Sequence, residues 1–351
     1  MRSVSTLLYL KSSRRCIRMP SLKKKAISLY LRTGCQRQLL LNLYGDKERR
    51  ELEMPPRQTA RAGAGYAGQL GYDWQDQKVS ELDVVFGAEH VHVNPKREGR
   101  RPGTLELGDV LPHVGPYQFV VEGRYDPDTD TFKDAIGIGA LRDQHEAELG
   151  VSNAFPDVVQ VLQPMKARPA WEAKEEEITP TGLGLEVLPE GEMRPFYEDD
   201  GRLRLRVIDI KLAAEPGAHY FAEVVYYSIS LAAWLVEHGL TDRFVVVAAP
   251  AVWPGSYETS AILEARERCR QEGREATPEE LARALEDDIE VAPFDVFAPR
   301  LARFFREELP RVLQTPWDAL PWHVDFRLNT SNLAAASANN APFFLPLQPI
   351  S

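Results

Sequence analysis

Cysteine is scarce in this chain: Cys16, Cys35 and Cys269 are the only three in 351 residues. Far apart and odd in number, they do not make a disulfide framework. The expectation they support is a reducing, cytoplasmic setting. Long apolar runs are missing as well. None reaches the roughly 18 residues that a membrane-crossing helix needs. The longest, Val224 to Val236, is interrupted by tyrosines and serines and predicts a buried helix, with no membrane partner. Positive charge is in deficit: 42 Lys and Arg stand against 52 Asp and Glu, for a net charge of −10. That removes the global basic signature of nucleic-acid binders. It leaves open a few cations concentrated in one groove of an acidic surface. No phosphate-loop or dinucleotide fingerprint occurs, and Ser256 and Ser260 lack a Gly-x-Ser-x-Gly setting, so those chemistries are set aside.

Against these absences, the chain is 44% hydrophobic, ample for a core. Basic residues cluster at Lys23 to Lys25, at Arg97 to Arg101 and at Arg202, Arg204 and Arg206. The last set alternates with Leu203, Leu205 and Val207 and reads as a solvated strand face. Residues 1–25 form a basic extension expected to be disordered, either a presequence or translated sequence upstream of Met19. The uncharged tail, 328–351, is expected to be disordered or aberrant.

Apolar spacing predicts helices over Ala26 to Tyr44 and Trp74 to Phe86, strand-like sequence from 89 to 126, and helical sequence over 140 to 165. Asp199-Asp200-Gly201 is a turn signal. The strand Leu203 to Ile208 follows it, then a helix from Gly217 to Gly239 and an apolar strand at Phe244 to Ala249. Strand, helix and strand in that order form a βαβ unit. Thr277-Pro278-Glu279-Glu280 is a helix start, with a capping Thr, Pro in the first turn and acids after it.

The chemistry gathers at Asp209 and Lys211. Two apart on a strand, they point to one side, and a carboxylate and an ammonium at the end of an apolar strand are costly to bury without purpose. An acid on a neighbouring strand, together with Asp-x-Lys, suits a divalent-metal phosphodiesterase. Two carboxylates hold the ion, and the lysine steadies the attacking water or the developing charge. A hairpin centred on Asp200-Gly201 sets Glu192 opposite Asp209 and makes it the first metal acid. Glu190 is a weaker substitute, and Glu198 lies too near the turn.

Asp209-Ile210-Lys211 resembles the (D/E)xK motif of the PD-(D/E)XK nuclease superfamily. Glu223-Val-Val-Tyr-Tyr227 is similar to the Q-x-x-x-Y motif of its RecB-like branch, with Glu in place of Gln. The resemblance implies an α/β fold with a restriction-endonuclease-like mixed sheet in αβββαβ order. It further implies one nuclease domain over 26–327, with an insertion at about 89–180. The implied activity is Mg²⁺- or Mn²⁺-dependent hydrolysis of DNA, on single strands or ends. Glu192 and Asp209 would hold the metal, Lys211 would support the water, and Glu223 and Tyr227 would brace the site. Gln75 is a further candidate, on an upstream helix. The family's Pro-Asp would instead fall at Pro195-Phe196, and Phe cannot bind metal. The alternative is therefore a catalytically degenerate fold that binds nucleic acid or protein. Cys35 resembles the first of four iron–sulfur cysteines, but no cysteine follows Cys269, so a four-cysteine cluster cannot form in this chain. His90 and His92 share a strand face and are read as structural, and His145 and His219 as ordinary surface or helix-start residues.

Overall fold

The computed structural model describes residues 20–57, 64–94, 103–139, 149–165, 182–196, 199–255 and 259–321. The main elements begin with helices α1 (Lys24–Thr33), α2 (Gln36–Leu43) and α3 (Ala64–Phe86). Strands β1 (Val91–His92), β2 (Gln118–Val121) and β3 (Val158–Leu162) follow. Then come a small hairpin of β4 (Leu185–Val187) and β5 (Met193–Pro195), strand β6 (Leu203–Ile210) and helix α4 (Ala218–Glu237). Strands β7 (Phe244–Val246) and β8 (Ala251–Trp253), helices α5 (Ala261–Gln271) and α6 (Pro278–Asp288), strand β9 (Glu290–Val291) and helix α7 (Phe294–Arg303) complete the set.

The fold is mixed α/β, built on a seven-stranded mixed sheet in which β6 is central. On one side β6 pairs antiparallel with β3, which pairs antiparallel with β2. On the other side β7 and β8 both run parallel to β6, one beyond the other. Parallel neighbours need a crossover, and the helix α4 supplies it. Successive side chains of a strand face opposite ways. Leu205 and Val207 pack among residues of α1, α4 and α7, while Ile208 and Ile210 pack among residues of α3, α5 and α6. Both faces of the sheet are thus covered, which is why β2, β3 and β7 read as nearly unbroken apolar runs. Each fully buried aliphatic or aromatic side chain contributes roughly 1.5–3 kcal/mol by leaving water. At Gly34, φ is +64°. This left-handed residue, easy only for glycine, ends α1 and turns the chain into α2. The helix start at Thr277 is present with a reciprocal capping box and Pro278 in its first turn.

Several expectations are corrected. The segment before Asp200 does not pair with β6. Leu185 lies opposite Pro195 in a separate hairpin, and β6 takes β3 instead. All five residues of β3 are buried, while Met193, Arg194 and Pro195 are exposed. The first suits a sheet interior, and the second, with its proline, an edge. Val158 to Leu162, expected as helix, is therefore strand. The stretch 89–180, expected as an insertion, supplies β1, β2 and β3 to the central sheet. The arginines of β6 are not a solvated face. Arg206 is fully buried and bound to Glu286, Arg204 donates to the Gln163 and Leu183 carbonyls, and Arg202 pairs with Asp200 and Glu186. The end of the basic extension is ordered too: Ser21 and Leu22 pair with Gly150 and Val151, and Lys24 opens α1. Residues 1–19 and the tail from 322 lie outside the described residues.

Candidate active site

Sheet register decides which acid faces Asp209. Ile208 stands opposite Val158, so one step further along the pair Asp157 stands across from Asp209. Val121 is likewise opposite Val158, which brings Glu122 beside Asp157, and the Glu122 amide donates to the Asp157 carbonyl at 3.0 Å. Three acids therefore form a row across the ends of three adjacent strands.

Asp209 is fully buried, and the ammoniums of Lys211 and Lys24 meet its carboxylate. Lys211 Nζ lies 2.5 Å from Asp209 Oδ2 and 3.6 Å from Asp157 Oδ2, a tight ion pair with the first and a looser one with the second. Asp157 Oδ2 accepts the Ile210 amide at 2.7 Å. Gln75, on α3, donates to Glu122 Oε1 at 2.6 Å and to Asp157 Oδ1 at 3.4 Å. From the other side α4 presents Glu223 and Tyr227, four residues apart and so on one helix face. The Tyr227 hydroxyl donates to the Phe155 carbonyl at 3.1 Å. Lys24, the first residue of α1, brings Nζ to 3.5 Å from Glu223 Oε2 and 3.7 Å from Asp209 Oδ1. It sits 4.7 Å above the Tyr227 ring. The cluster opens into a groove of about 1020 Å³ whose lining includes Lys23, Lys25, Tyr72, Phe155, Leu212 and Tyr220.

The two aspartates are driven apart electrostatically. Burial and then the charge of Asp209 push Asp157 up to about 7, against the pull of Lys211 and Lys24. Burial alone would raise Asp209 also, but Lys211 and Lys24 outweigh it and hold Asp209 below the usual carboxylate range. Two like charges this close titrate as a pair, and one proton stays longer. Both ammoniums are disfavoured by burial, yet Asp209 foremost raises each above its ordinary value. Neither lysine is therefore a base at neutral pH.

Of the residues expected from sequence, Asp209, Lys211, Glu223, Tyr227 and Gln75 are brought together. Glu192 is not. It is exposed in the turn between β4 and β5, where its carbonyl accepts the Leu188 amide. The pairing that chose it assumed the nearest strand as partner. Phe196 packs with Leu162, Val247 and Ala249. The acid that does face Asp209 carried a readable signal: Pro156-Asp157 heads an apolar run, the dipeptide sought instead at Pro195-Phe196. Lys24 and Glu122 carried none. Cys35 is a buried free thiol preceding α2. His92 hydrogen-bonds Gln118 at 2.9 Å. Among the described residues no three or more His, Cys, Asp or Glu side chains are arranged to hold a metal ion.

Compared with family models, curated proteins and solved structures, the chain finds no match.

Proposed function

We propose that the chain is a divalent-metal-dependent nuclease of the PD-(D/E)XK type that hydrolyses DNA phosphodiester bonds. The observation that carries this reading is the fully buried Asp209 carboxylate facing Asp157 across a strand pair, with Lys211 beside both. The order of elements agrees with it: helix α3, then β2, β3 and β6 as an antiparallel trio, then α4 and the parallel β8.

The donor set fits a small hard cation. Carboxylate oxygens suit Mg²⁺ or Mn²⁺, and Mg²⁺ keeps several waters, so two protein carboxylates are a sufficient anchor. Asp157 and Asp209 would hold the ion. Gln75 and Glu122 fix the first and the Lys211 charge faces both. When bound, such an ion polarises a phosphoryl oxygen and makes its water more acidic. Lys211, kept protonated, donates to the attacking water or to the oxygen where negative charge develops. It does not remove a proton. Tyr227 anchors the Phe155 carbonyl, two residues before Asp157, and so steadies the end of β3. The degenerate-fold alternative rested on Phe196 at the acid position together with the missing cluster cysteines; Asp157 across from Asp209 answers the first of these grounds and leaves the second.

The test is cleavage of end-labelled single-stranded DNA, duplex DNA and RNA with Mn²⁺ by wild type, Lys211→Ala and Asp157→Asn. Wild type is expected to cut, with each variant slower by about 10² or more, the scale of losing one transition-state donor. Equal cleavage by all three proteins, or by none on any substrate, sinks the proposal.

A further inference from the structure

Lys24 has no place in the sequence pattern that pointed to the site, and its geometry is unlike that of Lys211. Lys211 is tight against Asp209, at 2.5 Å. Lys24 stands off from both of its acids, at 3.5 Å from Glu223 and 3.7 Å from Asp209, beyond ordinary charge-assisted hydrogen bonds. Its side chain stays 30% exposed to the groove, while Asp209 is fully buried. The ammonium itself sits 4.7 Å over the Tyr227 ring, a cation–π contact that keeps it beside the acids without a close carboxylate partner. Lys24 also begins a helix, so the ammonium can swing about a four-carbon stem without moving the backbone.

We propose that Lys24 is the resident cation of the metal-free site, released from Asp209 when a divalent ion arrives and then free to bind a phosphate of the substrate strand. The proposal rests on the nuclease reading above and adds a regulation and a substrate contact to it. In the metal-free site the acids Asp157, Asp209 and Glu223 meet two cations, Lys24 and Lys211. A divalent ion on the aspartates puts two further positive charges within a few ångströms of Lys24. At the effective dielectric of a protein surface, like charges that close still repel strongly, enough to displace a loosely held ammonium. Glu223 remains as its anchor. The groove lies beside it, with Lys23 and Lys25 on its rim, and a phosphodiester is the anion a metal on Asp157 and Asp209 would bring there. Metal and lysine thus compete for Asp209, and substrate and Glu223 share the lysine that is released.

The test uses Lys24→Met, which keeps an unbranched side chain beside Tyr227 and removes the charge, and Lys25→Met, which removes the same charge one residue away. Two quantities are measured on the full chain: Mn²⁺ affinity by calorimetry, and binding of a fluorescent single-stranded oligonucleotide in EDTA and in Ca²⁺. The expected result is Mn²⁺ binding about tenfold tighter in Lys24→Met and changed less than twofold in Lys25→Met. Oligonucleotide binding by Lys24→Met is expected to be about tenfold weaker than wild type in Ca²⁺. Unaltered Mn²⁺ affinity and unaltered oligonucleotide binding in Lys24→Met overturn the proposal while leaving the metal reading in place. A wild type that binds oligonucleotide but no Mn²⁺ overturns the metal reading and the competition together. Circular dichroism of both variants guards the comparison. If Lys24→Met is misfolded, Lys24→Gln carries the same two measurements.

Discussion

Asp157 and Asp209 face each other with like charge, and the two lysines beside them cannot serve both equally. Lys211 touches Asp209 closely and Asp157 at longer range. Asp157 is therefore the one that retains a proton, up to about pH 7. The sign follows from linkage. A carboxyl raised in the folded state contributes stability that is full below its unfolded value, near 3.9, and lost as pH rises through about 7. A metal needs the deprotonated pair. Mn²⁺ affinity is thus expected to rise about tenfold per pH unit between pH 5 and pH 7, then level off. Calorimetry at pH 6 in two buffers of different ionisation heat should show close to one proton released per ion bound. A dissociation constant that does not change between pH 5.5 and 7.5 would remove the raised Asp157 from the account. In Asp157→Asn the metal-free protein should also melt higher at pH 8, since a buried repulsive charge is gone while the acceptor for the Ile210 amide stays.

At the scale of elements, β6 carries two kinds of burial on its two faces. Asp209 and Lys211 follow Leu205 and Val207 toward α4. On the other face Arg206 donates to the Ala249 carbonyl at 2.7 Å and bidentately to Glu286 on α6. This arginine ties the sheet to α6 and satisfies a carbonyl in the segment between β7 and β8, where the strand is interrupted. Arg206→Met is expected to cost about 3 kcal/mol, the lower end for a broken buried pair because Glu286 is partly exposed. Arg283→Met, from a surface pair with Glu279, should cost under about 0.5 kcal/mol. Urea unfolding of the two variants gives the comparison directly. The same strand shows what sequence can and cannot carry. That Asp209 and Lys211 share a face follows from the period of two and holds whatever strand pairs with β6. Which acid stands across from Asp209 is a matter of register between strands far apart in the chain. Local turn chemistry at Asp200-Gly201 pointed to the nearest candidate, Glu192, and the all-buried run after Asp157 won the place instead. Arg206 misled for a related reason: alternation reveals two faces but not that α6 covers the second one with a carboxylate. The helix α4 was legible throughout, because a helix apolar on all sides has nowhere to go but the interior.

The whole molecule explains how Lys24 comes to be in the site at all. The segment that carries it has few elements of its own and is held by distant ones. Ser21 and Leu22 add to Gly150 and Val151, and the Ser21 hydroxyl meets that of Ser152 at 2.7 Å. Leu22 is fully buried, and α1 packs Ile27 and Tyr30 into the core beside α4 and α7. The chain just before α1 is therefore stitched to the segment that leads into Asp157, so one stretch positions both the lysine and the acid row. In a protein of net charge −10, this also sets Lys23, Lys24 and Lys25 at the groove, the side from which the polyanionic substrate of the proposed function would approach. A chain shortened to begin at Ala26 loses Leu22, the pairing and Lys24 together. Deleting a buried leucine alone costs about 2–5 kcal/mol, and each kcal/mol shifts melting by about 2–4 °C in a domain of this order of size. The shortened chain is thus expected to melt at least about 4 °C lower than one beginning at Pro20, with Mn²⁺ present at saturation in both. If the two melt together, the segment is not held by the core in the way its pairing implies, and Lys24 would reach the carboxylates as a loose arm rather than as a part of the fold.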